Sequence, residues 1–302
     1  HFLSLDTKGF KGKNIFAKFI SLIYLEINVL KSILIIKKIK PDIVFSTGGH
    51  VTLAPALASV ILSIPLFIHE QNSVPGLVNR ILNKFSKLTF EAFPDSFNKS
   101  SKIHTVGNPV RSGIIKNPPT EAKKKEQFNI LILGGSQGSK QLNEIVLKTI
   151  RDKIIPINWC IVHQVGDLDK SSLVDVYSKQ SFSYKVVSYI EDIGKAYHES
   201  DLVIGRSGAM TVSEICCSSK PSILFPLPWA ADNHQYFNAK FLEDKKASIL
   251  LESTIDSADK LFTLLNDLEK DHNARHSMSL NAFDAFPVSS GKRIVEIINE
   301  SF

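Results

Sequence analysis

The chain has 302 residues, a formal charge of +6 and 43% hydrophobic residues, enough for two buried cores. Cys160, Cys216 and Cys217 form no CxxC pair, and no zinc-finger spacing or dense basic tail occurs, so nucleic acid is not the expected partner. The moderate positive charge suits an anionic surface such as lipid or a nucleotide. The longest mostly apolar stretch, FISLIYLEINVLKSILII, is interrupted by Glu26, Asn28 and Lys31, so it does not read as a membrane span.

In chain order, residues 15–40 predict a helix, with apolar residues at Phe16, Phe19, Ile20, Ile23, Ile27, Leu30 and Leu34. Its approach, KGKNIFAKFI, mixes Lys11, Lys13 and Lys18 with Phe16, Phe19 and Ile20. This is either a core-facing helix with a basic rim or an interfacial patch for anionic lipid. PDIVFSTGGH then reads as a strand leaving through Gly48 and Gly49, followed by the helix APALASVILSI. PLFIHEQNSVPG is a strand and loop, LVNRILNKFS a helix, and KLTFEAF and KIHTVGNP two more short strands. The alternation predicts a doubly wound parallel sheet.

Residues 112–128 change character, with Pro118-Pro119 and a charge cluster, and predict a domain boundary. The expected domains are residues 1–117 and 118–302, with the last helix packing back on the first. The second contains about five strands, from FNILILGG through NWCIVHQVG, YKVV, DLVIG and KPSILF to ASILL, and closes on two or three helices. The first has four clear strands and begins at His1, which leads to the expectation that an N-terminal strand and loop have been lost.

Several loops carry candidate chemistry. LILGGSQGSKQLNE places Gly134, Gly135, Ser136, Gln137 and Gly138 between a strand and a helix, where amides can hold phosphate oxygens. It matches neither GxGxxG nor GxxxxGK[ST], which disfavours dinucleotide binding and P-loop hydrolysis; a tight turn without a ligand is the alternative. STGGH is a similar turn, where His50 either faces the crevice or covers the loop. In GNPVR, Arg111 either meets a phosphate or makes a structural salt bridge.

HEQN follows a buried strand at the position that opens onto the crevice of such sheets. There Glu70 can accept a proton or a sugar hydroxyl, Asn72 can hold a hydroxyl, and His69 is a contact, a base or a support. No metal-ligand spacing and no DxD motif is found, so no firmly bound metal is expected. In WAADNHQYFNAKFLE, Asp232 is a plausible cap, and His234, Gln235 and Asn238 can share a face with sugar hydroxyls; a capped helix with a wet edge is the alternative. GRSGAMTVSEI reads as a capping box from Thr211 to Glu214, unless Glu214 faces a ligand instead.

PDIVFSTGGHVTLAPALAS, HEQNSVPGLVNR, VGNPVR, LGGSQGSKQLNE, SYIEDI, RSGAMTVSEI and HQYFNA, in this order, resemble the MurG family. Its members are bacterial transferases that move N-acetylglucosamine (GlcNAc) from its UDP-sugar to undecaprenyl-pyrophosphoryl-N-acetylmuramoyl-pentapeptide (lipid I), forming lipid II for peptidoglycan. The resemblance implies an α/β GT-B fold, two Rossmann-like doubly wound parallel-sheet domains facing a cleft. It puts Ile190 at the uracil with Tyr189 beside it, Glu214 on the ribose, and Ser136, Gly134 to Gly138, Ala209, Met210 and Thr211 at the diphosphate. Arg111 lies near the uridine and phosphates, and His234 and Gln235 near GlcNAc hydroxyls. Glu70, His69, Asn72 and His50 fall on the acceptor side, with Glu70 and then His69 as candidate bases and Asn72 as a positioner.

The same resemblance implies a peripheral protein at the cytoplasmic face of the bacterial plasma membrane. Its implied partners are UDP-GlcNAc, lipid I, an anionic membrane and cell-wall synthesis proteins, with no cofactor beyond the donor substrate. The lipid acceptor gives the patch of Phe16, Phe19, Ile20, Lys11, Lys13 and Lys18 a membrane to meet. Three departures stand out. The family's glycine-rich loop GGTGGH is absent, His50 and His234 replace a common tyrosine and glutamine, and LPWAAD is about one residue longer than the familiar loop. The alternatives are another GT-B lipid glycosyltransferase and a non-catalytic UDP-sugar-binding component.

Overall fold

The computed structural model describes residues 4, 15–115, 119, 126–135, 138–166, 170–287 and 289–302. The chain divides into two compact units, residues 1–106 and 107–302.

The first unit runs α1 (Ile15–Ile39), β1 (Val44–Ser46), α2 (Leu53–Ile61), β2 (Leu66–Glu70), α3 (Leu77–Leu82), β3 (Leu88–Glu91) and β4 (Ile103–Thr105). The four strands form a parallel sheet in sequential order. Leu53, Ala56, Leu66, Ile68, Leu82 and Phe97 make its core. β2 is buried along its whole length, as parallel strands covered on both faces are. It continues two residues beyond the predicted PLFI, so His69 and Glu70 belong to the strand itself.

Of the two readings of α1, the core-facing apolar stripe is not the one observed. Ser21, Asn28, Ser32 and Ile36 are buried, whereas Ile23, Ile27, Leu30 and Leu34 are 42%, 44%, 63% and 70% exposed. Positions 23, 27, 30 and 34 fall on one stripe of a helix, and 21, 28 and 32 on the opposite one. The packing against α2 thus takes the small polar side and leaves the apolar side outward. Among the described residues no helix is long and apolar enough to cross a membrane.

The second unit opens with a 3-10 turn, η1 (Ser112–Ile114). It continues through β5 (Phe128–Leu133), α4 (Lys140–Asp152), β6 (Trp159–Gln164), α5 (Lys170–Ser178), β7 (Ser183–Val187), α6 (Ile193–Glu199), β8 (Leu202–Gly205), α7 (Ala209–Cys217) and β9 (Ser222–Leu224). A second 3-10 turn, η2 (Ala231–Asn233), leads to α8 (His234–Asp244), β10 (Ser248–Leu250), α9 (Ser257–Lys270), α10 (His272–Ala285) and α11 (Ser290–Glu300).

Six strands, against about five expected, form one parallel sheet in the order β10-β9-β8-β5-β6-β7. The chain winds outward from β5 in one direction, returns, and winds outward from β8 in the other. In such sheets ligands bind beyond the carboxyl ends of the strands where the order reverses, here between β5 and β8.

Residues 107–115 pack with this second unit, so the division comes before the Pro118-Pro119 boundary predicted from composition. Asn108 Nδ2 donates to Ser213 Oγ at 2.9 Å, and His198 Nε2 donates to the Gly113 carbonyl at 2.9 Å. A Cβ on Gly194 would lie 2.5 Å from the Gly113 oxygen, so only glycine admits this approach. The first turn of α11 lies beside Gly107 and Pro109 of the same unit.

Candidate active site

The loop after β5 is shaped by backbone geometry. Gly134 N–H donates to the Gln164 carbonyl at 3.0 Å, and a Cβ on Gly134 would come within 2.9 Å of that oxygen and 3.1 Å of Ser139 N. Gly135 takes φ +84°, a left-handed conformation suited to glycine. Gln164 Nε2 donates to the Gly135 carbonyl at 3.1 Å, and Gly138 N–H returns to the same carbonyl at 3.1 Å. Ser139 caps α4 by accepting from Leu142 N–H. The carboxyl end of β6 therefore supports a loop that delivers Gly138 to a helix start, the arrangement that binds phosphate. Ser136 and Gln137 lie outside the described residues.

On the other side of the switch point, β8 passes through Arg206 and Ser207 into α7. The predicted capping box does not form. Gly208 is the N-cap, no side chain caps the helix, and Thr211 is its third residue. Ala209 and Thr211 are half-buried and Met210 is exposed, all in the first turn with its outward-pointing amides.

Glu214, one turn further in, is half-buried and accepts a hydrogen bond from Tyr197 Oη at 3.1 Å on Oε2. Burial pushes its carboxyl above the usual value, while the Tyr197 bond and the Arg111 charge pull it back. Arg111 itself is exposed at the start of this unit, with its charge felt at the Glu214 carboxyl.

Arg206 escaped the sequence reading. Only 9% exposed, it donates through Nε to Ser139 Oγ at 2.7 Å, through Nη2 to Gln141 Oε1 at 3.0 Å, and through Nη1 to the Phe225 and Pro226 carbonyls at 3.2 Å. It forms no salt bridge with any carboxylate among the described residues, and burial pulls its guanidinium below the usual value. A buried cation held by neutral acceptors makes the β5–β8 end of the sheet electropositive. The signal was present in the sequence: a polar residue directly after a buried strand, as in HEQN after PLFI.

Beyond β9, the loop into α8 is tied to the same end. Ser207 Oγ donates to the Gln235 carbonyl at 2.7 Å, and Gln235 Oε1 accepts from Leu227 N–H at 3.0 Å. With its oxygen engaged, Gln235 has its amide N–H groups to offer a ligand. His234 is the first residue of α8 and donates through Nδ1 to the Ala231 carbonyl at 2.7 Å.

Two expectations on this helix are corrected. Asn238 is fully buried and donates to the Ser207 carbonyl at 3.1 Å, so it fastens the helix rather than facing sugar hydroxyls. Asp232 does not cap α8: Asn233 is the N-cap, in a left-handed conformation, with no side-chain cap bond. Tyr236 and Phe237 meet edge to face at 5.6 Å, though Phe237 remains 46% exposed. After β7, Ile190 is half-buried and Tyr189 is 57% exposed.

In the first unit, Glu70 is 2% exposed and organises its own loop. Its Oε1 accepts from Asn72 N–H at 3.0 Å and Asn72 Nδ2 at 3.4 Å, and its Oε2 from Gly76 N–H at 3.0 Å and Asn79 Nδ2 at 2.8 Å. His69 is buried beside it, with Gln71 Nε2 donating to its Nδ1 at 3.1 Å. Asn79, also missed from sequence, further donates to the His69 carbonyl at 3.1 Å and lies where a Cβ on Gly48 would fall. The HEQN loop and the STGGH turn thus share one support, and His50 is exposed beyond it. Ile20 is half-buried. Lys11 and Lys13 and the side chains of Phe16, Lys18 and Phe19 lie outside the described residues.

Residues 1–90 match the glycosyltransferase family 28 N-terminal domain and residues 129–294 the glycosyltransferase family 28 C-terminal domain. The chain is similar to proteins named UDP-N-acetylglucosamine--N-acetylmuramyl-(pentapeptide) pyrophosphoryl-undecaprenol N-acetylglucosamine transferase. The one from Coxiella burnetii (strain Dugway 5J108-111) is 36% identical over 281 residues, 92% of this chain and 78% of the relative. That from Wigglesworthia glossinidia brevipalpis is 39% identical over 301 residues, 98% of this chain and 82% of the relative. Among solved structures, Acinetobacter baumannii MurG superposes with a TM-score of 0.81 at 30% identity, covering 93% of this chain and 79% of that one. The UDP-GlcNAc 2-epimerase from Neisseria meningitidis, at 14% identity and a TM-score of 0.67, shares the fold.

Proposed function

The chain belongs to glycosyltransferase family 28, and from that membership we propose that it is a UDP-GlcNAc-dependent N-acetylglucosaminyltransferase converting lipid I to lipid II in peptidoglycan synthesis. The observation that carries this reading is the half-buried Glu214 carboxylate, set one turn inside α7 at the switch point and held by Tyr197. A carboxylate there accepts ribose hydroxyls, while the first-turn amides at Ala209, Met210 and Thr211 meet the diphosphate. Gly134, Gly135 and Gly138, with Ser136 and Gln137, complete the phosphate side. Ile190 with Tyr189 takes the uracil, and His234 and Gln235 take GlcNAc hydroxyls.

The reaction is a direct inverting displacement. The C4 hydroxyl of the muramoyl sugar attacks the anomeric carbon, the bond to UDP breaks, and an α-linked donor gives a β(1→4) product. Negative charge grows on the departing diphosphate, where helix-start amides and Arg111 stabilise it. Each aligned donor of this kind contributes about 3 kcal/mol in the transition state. The buried Arg206 guanidinium adds to the potential at that end. No firmly bound metal is required in this reading, because fixed dipoles and arginine charge act where a cation otherwise would.

The hydroxyl proton passes to a base on the acceptor side, for which Glu70 and then His69 are the candidates, with Asn72 positioning the sugar. The 3.4 Å bond from Asn72 Nδ2 is the longest on Glu70 and the one a substrate hydroxyl replaces most easily. The apolar stripe of α1, with Lys11, Lys13 and Lys18 near its start and Phe16, Phe19 and Ile20 in its first turns, docks on an anionic membrane at the cytoplasmic face, where lipid I and cell-wall synthesis proteins are met.

Product analysis with UDP-GlcNAc and a soluble lipid I analogue tests the activity. Glu214→Ala tests the site: UDP affinity falls about tenfold or more with the fold intact. Unchanged affinity in a folded variant removes the ribose assignment.

A further inference from the structure

We propose that Tyr197 is a positioning residue for the nucleotide: its hydroxyl holds Glu214 Oε2 and leaves Oε1 as the acceptor for the ribose hydroxyls. The inference rests on the reading of Glu214 as the ribose ligand and adds to it the group that orients the carboxylate.

Tyr197 is fully buried on α6, whose start is fixed by Asp192 accepting from Lys195 N–H at 2.9 Å. A buried phenol needs a partner for its O–H, and the Glu214 carboxylate at 3.1 Å is that partner. Among the described residues this is the sole hydrogen bond the Glu214 side chain accepts, and it occupies one oxygen only. The residue is half-buried, and its Oε1 is not among the buried side-chain oxygens that lack a partner, so the second oxygen can be reached by a ligand. Tyr197 is also locked as a donor: burial, the Glu214 charge and bond, and Cys216 keep its phenol well above the usual range.

Burial alone favours the neutral acid at Glu214, and a neutral acid accepts ribose hydroxyls more weakly than a carboxylate. The Tyr197 bond opposes that effect, so the tyrosine both aims the carboxylate and keeps it charged. The other groups facing the pair are Arg111 from the segment before η1, Cys217 on α7 and Cys216 against Tyr197. All are retained in a Tyr197→Phe variant.

The test is calorimetric titration of UDP into the full chain, wild type and Tyr197→Phe, from about pH 5 to about pH 9. The titration of UDP itself is common to both proteins and cancels in the comparison. In Tyr197→Phe the loss of affinity on acidification moves up by about one pH unit, with about tenfold weaker binding at the acid end. The preference for UDP over 2′-deoxy-UDP falls as well, a readout that altered packing alone does not move. Tyr197→Met, which removes the same hydroxyl with different packing, is measured alongside and shows the same shift. Superimposable pH profiles and an unchanged preference overturn the role of Tyr197. Wild-type UDP affinity in Glu214→Gln overturns the ribose reading instead, so the two failures are distinct.

Discussion

Glu70 and Glu91 are register partners on β2 and β3, and each gathers the backbone N–H groups of the loop that follows its strand. Glu91 accepts from Asp95 N–H at 3.1 Å, Phe97 N–H at 3.0 Å and Thr105 Oγ1 at 2.8 Å. These two adjacent carboxyl groups, 2% and 3% exposed, are each surrounded by N–H and O–H donors, as buried polar groups require. Glu91→Gln turns an amide donor against a backbone donor. The expected loss is about 2–3 kcal/mol of stability, read from the urea midpoint, with UDP affinity unchanged. Glu70→Gln loses a similar amount and also loses transfer activity. Full activity in a folded Glu70→Gln protein removes Glu70 from the acceptor machinery.

Gly134→Ala brings a methyl group against the Gln164 carbonyl and Ser139 N, at 2.9 and 3.1 Å before any relaxation. Both neighbours are backbone, so the loop must shift. The expected result is about 1–3 kcal/mol of destabilisation and weaker UDP binding, with uridine binding much less affected. Equal losses for UDP and uridine contradict a phosphate role for this turn.

His163 sets an acid limit on stability. It is fully buried on β6, accepting at Nδ1 from Tyr177 Oη at 3.0 Å and donating from Nε2 to Asn143 Oδ1 at 3.2 Å. Burial pulls its pKa from 6.5 down to about 3. Between those values the unfolded chain takes up a proton that the native protein refuses. Stability therefore falls as pH drops below about 6.5, with a His163 contribution of about 1.4 kcal/mol per pH unit. Urea unfolding across this range, compared with a His163→Gln variant, reads it as a difference in slope; identical slopes exclude it.

The outward stripe of α1 predicts vesicle binding with two components. Ile27→Asp with Leu34→Asp weakens binding to anionic and neutral vesicles alike. Charge reversal at Lys11, Lys13 and Lys18 weakens binding to anionic vesicles, by about 1 kcal/mol per lysine at the surface. Sedimentation with vesicles of the two compositions separates these effects. Binding insensitive to all five changes rules out this face.

The parallel alternation, the glycine turn after β5 and the polar residues at the end of β2 were legible because each rests on local chemistry: buried apolar runs, glycine geometry and polar groups at strand ends. Glu214 was legible as a candidate, and its cap role failed because α7 starts earlier, at Ala209, than the Thr211 signal implied. Tyr197 and Asn79 were not legible. Their partners, Glu214 and Glu70, lie 17 and 9 residues away, and only the sheet brings them together. The direction of α1 stayed open for a related reason: periodicity finds an apolar stripe without saying whether protein covers it. The two units divide ahead of Pro118-Pro119 because GNPVRSGII is anchored by Ser213 and His198, far along the chain.

The concealment of Arg206 has a consequence for how the protein responds to ionic strength. Mobile ions screen exposed charges over about 10 Å at 0.1 M salt, but they reach a buried guanidinium poorly. The exposed Lys37 and Lys38 in the last turn of α1 and the arginine at the switch point therefore differ in their sensitivity to salt, although both attract anions. Raising the salt concentration weakens the pull of those lysines on anions well before that of Arg206.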